Sequence, residues 1–227
     1  MKNYILLPIS VLSLIVIIIW QMFCANEVNY YIVSVSILVL SMLPFFASFE
    51  KKKISTGELT LTATLIAIAV VSRAVFYLIP QVKPIAAVVI VSAVCLGAER
   101  GYIVGAFSAF ISNFIFGQGY WTPFQMVALG MVGLVSGLIF KKLKRNKITL
   151  SIVGFVLTFA LYGVIVDAST IMMAYGTKVT LAGAMTIYGA GVPFSAVFGA
   201  ATAVFLFLFG VPFIKKIDRI NTKYNIT

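Results

Sequence analysis

The run ITLSIVGFVLTFALYGVIVDASTIMMAY, residues 148–175, contains a single charged residue, Asp167. A helix needs about 20 predominantly apolar residues to cross a bilayer, so this run is long enough to form a transmembrane span. The rest of the chain has the same character, because 62% of its residues are hydrophobic and only 10% are charged. Soluble domains are roughly 45–50% apolar and about 25% charged. The sequence therefore predicts an all-α polytopic membrane protein.

Eight apolar segments are separated by short polar stretches, and each segment predicts one membrane helix. A charged stretch, residues 50–58, divides the first two segments from the other six. We therefore expect an N-terminal transmembrane hairpin (residues 1–49), a six-helix core (residues 57–214) and a basic cytoplasmic tail (residues 215–227). The eight segments are residues 4–24, 30–49, 59–79, 85–96, 101–116, 124–140, 148–175 and 181–214.

Two of the segments have unusual lengths. Residues 85–96 form a segment that is short for a membrane span. Residues 181–214 are too many for one straight span, and they include Gly189, Gly191 and Pro193. Because proline and glycine weaken helices, we expect a kink or a break of the last helix at these three residues.

The distribution of the basic residues predicts the orientation of the chain. Most of the 17 lysines and arginines lie at the termini or in the loops after alternate segments, with the largest cluster at residues 141–147. The positive-inside rule places these loops, and with them both termini, in the cytoplasm of a multi-pass cell-membrane protein. The net charge of +11 therefore indicates orientation in the lipid bilayer and does not indicate binding to nucleic acid.

The composition excludes several kinds of catalytic and metal site. The chain has no histidine, and its two cysteines, Cys24 and Cys95, lie in different apolar segments. A zinc site of histidine and cysteine and a nucleophilic pair that depends on histidine are therefore excluded. The phosphate-binding motif GxxxxGK[ST] is absent, so the energy for any active transport comes from an ion gradient or from another chain. We expect no catalytic residue, no metal and no cofactor.

Two ionisable residues lie inside apolar segments, and such residues are candidates for function. The helical rise places Arg73 and Asp167 roughly 24 and 28 Å from the inner face, so both are expected in the outer half of the bilayer. Opposite charges at matched depth suggest two compatible interpretations. One is a structural ion pair that joins two helices, and the other is the polar floor of a pocket open to the outside.

The loop GQGYWTP, residues 117–123, is expected at the outer face and contributes further candidates. Tyr120 and Trp121 have rings suited to stacking on a planar ligand, or to the aromatic belt of the membrane interface. The stretch that begins at Thr122 has the pattern of a helix N-terminus, in which Gln125 acts as a cap. The full set of candidate substrate-binding residues is Arg73, Lys83, Asn113, Gln118, Tyr120, Trp121 and Asp167.

Several stretches of the core resemble the substrate-binding S component of energy-coupling factor (ECF) vitamin transporters. They are LTLTATLIA (residues 59–67), VKP (82–84), GYIVG (101–105) and GQGYWTPFQ (117–125). The resemblance implies a six-helix core that captures a vitamin at the outer face. It also implies that the protein works with a coupling transmembrane subunit and two cytoplasmic ATPases, which hydrolyse the ATP. Ala63 and Ala67 match the small-residue motif by which the first core helix of this family docks on the coupling subunit.

The identity of the substrate and the class of transporter each have alternatives. The GQGYWTP loop looks most like family members associated with cobalamin or a related corrinoid, whereas riboflavin and other vitamins or tetrapyrroles stay open. A self-contained secondary transporter or channel is the alternative to an S component, although such proteins usually contain inverted repeats. A membrane enzyme is disfavoured, because the chain lacks histidine and has only one acidic residue within a span.

Overall fold

The computed structural model describes residues 55–176 and 178–224 and, nearer the N-terminus, Ser36 alone. Every regular element among these residues is a helix. Apart from Ser36, the expected hairpin at residues 1–49 lies outside the described part of the chain. The first four helices are α1 (Thr56–Val75), α2 (Ile85–Leu96), α3 (Ala98–Phe116) and α4 (Thr122–Ile139).

The remaining helices form two long continuous rods, each of which contains a short π-helical turn. The first rod consists of α5 (Lys147–Val156), a π turn (Leu157–Tyr162) and α6 (Gly163–Tyr175). The second consists of α7 (Leu181–Phe205), a π turn (Leu206–Gly210) and α8 (Val211–Tyr224). Both rods, together with α1 and α4, are long and apolar enough to cross a membrane. The described helices therefore confirm a polytopic α-helical membrane protein.

Polar side chains fix the points at which several helices begin. Ser55 caps α1 by accepting a hydrogen bond of 3.1 Å from the backbone N–H of Glu58. Asn146 caps α5 in the same way, and Thr180 caps α7. These side chains satisfy backbone N–H groups that have no partner within the helix.

The short helix α2 lies at the centre of the core. Its residues from Ile85 to Val94 are all buried, and α1, α3, α4, α7 and α8 pack around it. A helix that is apolar on every side is stable only when it is enclosed by other elements. The helix ends at Gly97, whose φ of 91° is a conformation that residues with a side chain rarely adopt.

Glycines bring α3 and α4 into direct backbone contact. A Cβ atom at Gly105 would overlap the carbonyl oxygen of Leu129, and one at Gly133 would overlap the carbonyl oxygen of Gly101. The repeats of small residues on these two helices therefore pack inside the protein. Close approach of this kind is the usual way in which membrane helices associate.

Of the kink or break expected at Gly189, Gly191 and Pro193, the break is wrong, and the kink stays a prediction. Helix α7 continues from Leu181 to Phe205 with Pro193 inside it. Transmembrane helices tolerate proline where neighbouring groups satisfy the carbonyl that loses its hydrogen bond. Elsewhere in the two rods the α-helical hydrogen-bond pattern changes to π-helical at Leu157–Tyr162 and at Leu206–Gly210, and neither of these turns contains proline.

The contact between α3 and α4 gives a test of the fold. Gly105→Ala should destabilise the protein by about 1–3 kcal/mol, because the added Cβ overlaps the backbone of α4, which can yield only if the helix moves. Gly189→Ala is the matched control, since no atom of the described residues outside the backbone of α7 lies within 4 Å of the added Cβ. Thermal unfolding in detergent should show a lower midpoint for Gly105→Ala alone. Equal midpoints for the two variants would contradict the contact.

Candidate functional site

Arg73, in the last turn of α1, is held by hydrogen bonds to α3. Its Nη1 donates to Oδ1 of Asn113 at 2.9 Å and also to the hydroxyl of Ser112. Its guanidinium carbon lies 4.6 Å from the centroid of the Phe116 ring, which adds a cation–π contact. Both hydrogen-bonding partners are buried, so the guanidinium is fixed against the inner side of α3.

Asn113 extends this arrangement to α4. Its Nδ2 donates to Oγ1 of Thr122 at 3.0 Å and to Oε1 of Gln125 at 2.9 Å. The hydroxyl of Thr122 also accepts a 3.2 Å hydrogen bond from the backbone N–H of Gly119. The side chain of Gln125 therefore does not cap α4, and the cap interpretation is wrong. Buried Asn113 requires acceptors for its amide hydrogens, and Gln125 supplies one of them.

A cavity of about 260 Å³ lies between these helices and the facing part of α6 and α7. Small-molecule sites are usually about 300–1,000 Å³, so the cavity is close to the lower end of that range. One wall is polar, and α1, the following loop and α4 provide its side chains. The opposite wall carries one acidic residue. The charged and amide-bearing residues that line the cavity are Arg73, Gln81, Lys83, Gln125 and Asp167.

Arg73 and Asp167 line the same cavity but do not form the ion pair that was one interpretation of their depth. No salt bridge joins them among the described residues, and Arg73 instead bonds to α3. Within residues 55–176 and 178–224, neither Lys83 nor Asp167 has a hydrogen-bond or ion-pair partner. Burial lowers the pKa of Lys83, which lies in the loop before α2, and the charge of Arg73 lowers it further.

The predicted site residues fall into three groups in the structure. Arg73, Lys83 and Asp167 line the cavity together. Asn113 lies behind Arg73 and positions it. The other three candidates belong to the loop between α3 and α4 and are not among the residues that line the cavity.

Contacts within that loop and with α3 hold the side chains of the loop. Nε2 of Gln118 donates to the carbonyl oxygen of Phe110 at 3.1 Å. The rings of Tyr120 and Trp121 meet edge to face, with centroids 5.0 Å apart. The Trp121 ring also covers Gly119, where a Cβ atom would come within 2.6 Å of it. A role for these residues in binding stays a prediction.

Several residues that line the cavity had no signal in the sequence. Tyr162, Ser195 and Phe198 are uncharged residues within long apolar runs, where they resemble ordinary core positions. Gly191 also lines the cavity, although the sequence had suggested only that it weakens the last helix.

The fold and the cavity define the class of the protein: it is a polytopic α-helical membrane protein with a small-molecule-sized cavity among its helices. A family model described as the S component of the ECF-type riboflavin transporter matches residues 53–219. Because the match covers well over half of the chain, the protein belongs to this family. No curated protein and no solved structure matched the chain.

The family match confirms the resemblance to ECF S components. It also agrees with the prediction that the chain is not an enzyme, since the family is one of transporter components. S components take part in vitamin uptake together with an energy-coupling module and its ATPases.

The hydrogen bonds around Asn113 generate a prediction. Asn113→Ala should lower the free energy of unfolding by about 1–3 kcal/mol, because it removes an acceptor from the partly buried guanidinium of Arg73. It should also weaken ligand binding, since the Arg73 side chain would no longer be fixed at the cavity wall. Thermal unfolding and ligand titration of the purified protein measure the two effects.

Thr186→Ala is the control for that prediction, because it removes only an exposed hydrogen bond within α7. This variant should unfold and bind ligand as the wild type does. If Asn113→Ala also behaved as the wild type, the hydrogen bonds of Arg73 would not organise the site.

Proposed function

We propose that this protein is the riboflavin-binding subunit of an ECF-type importer. It captures riboflavin from the outer face of the cell membrane in the cavity between α1, α4, α6 and α7. The observation that carries the proposal is the match of residues 53–219 to the riboflavin-transporter S component. The cavity, which combines charged and amide side chains with apolar surface, supplies a site of suitable chemistry.

The size of the cavity favours riboflavin over a corrinoid. A corrin is a macrocycle of four linked rings with many side chains, so cobalamin is several times larger than riboflavin, whereas the cavity of about 260 Å³ is close to the lower end of the range for small-molecule sites. The three fused rings of a flavin are flat and much smaller. Leu129, Phe194 and Phe198 offer apolar surface for such rings. We therefore prefer riboflavin to the cobalamin that the GQGYWTP loop suggested.

The charges in the cavity suit the polar groups of riboflavin. The two flavin carbonyls accept hydrogen bonds, and Arg73 and Lys83 only donate them. The imide N–H and the ribityl hydroxyls can donate, and the carboxylate of Asp167 only accepts. A mostly apolar pocket with a few convergent polar groups is the usual form of a small-molecule site.

The test is to identify the bound molecule directly. The protein is purified from cells grown in rich medium and denatured, and mass spectrometry identifies the small molecules that are released. Riboflavin should be the main species, and ligand-free protein should quench the fluorescence of added riboflavin with one site per chain. Cobalamin and thiamine should not compete. Release of a corrinoid, or competition by cobalamin, would contradict the proposal.

Energy for uptake would come from two cytoplasmic ATPases that act through a coupling transmembrane subunit. Helix α1 offers a surface on which the coupling subunit could dock. Ala63 and Ala67 are exposed on α1. The helix is fixed to α3 near both ends, by Arg73 at one end and by Glu58 at the other. Nε of Arg100 donates to Oε1 of Glu58 at 2.7 Å in a largely buried ion pair. Both termini of the chain would lie in the cytoplasm.

A bulky residue in this exposed face should prevent assembly without affecting the cavity. We expect Ala67→Leu to abolish co-purification with the coupling subunit and ATPases, because close backbone approach requires small residues. Its affinity for riboflavin should be unchanged. Ala200→Leu on α7 is the matched control, since Ala200 is also an exposed alanine in an apolar helix. Loss of riboflavin binding by Ala67→Leu, with assembly intact, would show that this face does not dock.

A further inference from the structure

Gly191 on α7 makes an unusually close contact with Asp167 on α6. A Cβ atom built on Gly191 would lie 2.7 Å from Cγ and 2.9 Å from Oδ1 of Asp167, and would overlap Oδ2. The carboxylate therefore rests directly on the backbone of α7. It occupies the volume that the side chain of any other residue at position 191 would take.

The neighbouring glycine shows that this contact is local. A Cβ atom on Gly189, two residues earlier in the same helix, would have none of the described atoms within 4 Å apart from the backbone of α7 itself. Both glycines lie in the middle of α7, and neither has a positive φ. The backbone of α7 therefore does not itself require glycine at position 191. A side chain at position 191 would instead displace the carboxylate of Asp167, which would have to rotate away from α7.

The carboxylate is also chemically uncommitted. It lines the cavity together with Gly191 and, among the described residues, accepts no hydrogen bond and forms no ion pair. Arg73 and Lys83 line the same cavity, and Arg73 is already bound to α3. The Asp167 side chain is partly exposed and lines the cavity, so its carboxylate can accept a hydrogen bond from a ligand there.

We infer that Gly191 is a specificity-determining residue, because its lack of a side chain lets the Asp167 carboxylate lie on α7 and accept a hydrogen bond from the substrate. The inference rests on the proposed function, in which that substrate is riboflavin. A carboxylate accepts and does not donate, so this corner of the cavity selects a hydrogen-bond donor. In riboflavin the donor is the imide N–H or a ribityl hydroxyl.

The test is a double-mutant cycle measured by titration of riboflavin into the purified full-length protein. Gly191→Ala should raise the dissociation constant by about tenfold or more, which is the usual effect of losing one hydrogen bond to a charged group. Gly189→Ala, the matched control, should bind as the wild type does. Asp167→Ala should weaken binding to a similar degree as Gly191→Ala.

The decisive variant combines Asp167→Ala with Gly191→Ala. If Gly191 acts through the carboxylate, the second substitution has no further effect once the carboxylate is gone. Thermal unfolding of the ligand-free variants separates this result from a general loss of stability. Wild-type binding by Gly191→Ala, or a full additional loss in the double variant, would overturn the inference.

Two analogues identify the donor. Lumiflavin lacks the ribityl hydroxyls, and 3-methylriboflavin lacks the imide N–H. Asp167→Ala should no longer weaken binding of whichever analogue lacks the donor that the carboxylate recognises. If it weakens binding of both analogues as much as that of riboflavin, Asp167 contacts neither donor and the inference fails. A wild-type protein that does not bind riboflavin would overturn the proposed function and this inference with it.

Discussion

A guanidinium group that lies partly buried among membrane helices needs hydrogen-bond partners, and the hydrogen bonds that begin at Arg73 connect three helices. Ser112 and Asn113 of α3 accept its hydrogen bonds. The amide of Asn113 then needs acceptors of its own, which Thr122 and Gln125 of α4 provide. One partly buried cation thus aligns α1, α3 and the start of α4, and this alignment forms the polar wall of the cavity.

The two walls of the cavity are built differently. On the side of α3 and α4 the backbones touch at glycines, with hydrogen-bonded side chains above the contact. On the side of α6 and α7 the helices also approach closely. Here each contact is made by one side chain of one helix against a glycine of the other. A Cβ on Gly163 would lie 2.6 Å from the hydroxyl oxygen of Ser195, and the carboxylate of Asp167 lies against Gly191. The first wall therefore rests on contacts between backbones, and the second on contacts of a side chain with a backbone.

The sequence predicted the depth of residues in the membrane better than it predicted the contacts between their side chains. Residues 85–96 were predicted as α2 with the bounds that the structure has, because Pro84 and Gly97 interrupt the apolar run on either side. The matched depths of Arg73 and Asp167 follow from the helical rise, and both residues line one cavity. Depth alone does not fix the direction in which a side chain points around its helix. For that reason the ion pair was a plausible prediction and the hydrogen bonds to α3 were not visible.

The part of the site that the sequence did not reveal consists of small and uncharged residues. Ser195 and Tyr162 are indistinguishable from core residues in an apolar run, and a glycine in a helix is usually interpreted as a packing or flexibility feature. Their role in the cavity depends on the residue that faces them across the helix interface. Gly191 acquires a role only because Asp167, in a different segment, places a carboxylate against it. In a membrane protein, where an unpaired charge is costly, the absence of a side chain can decide where that charge stays.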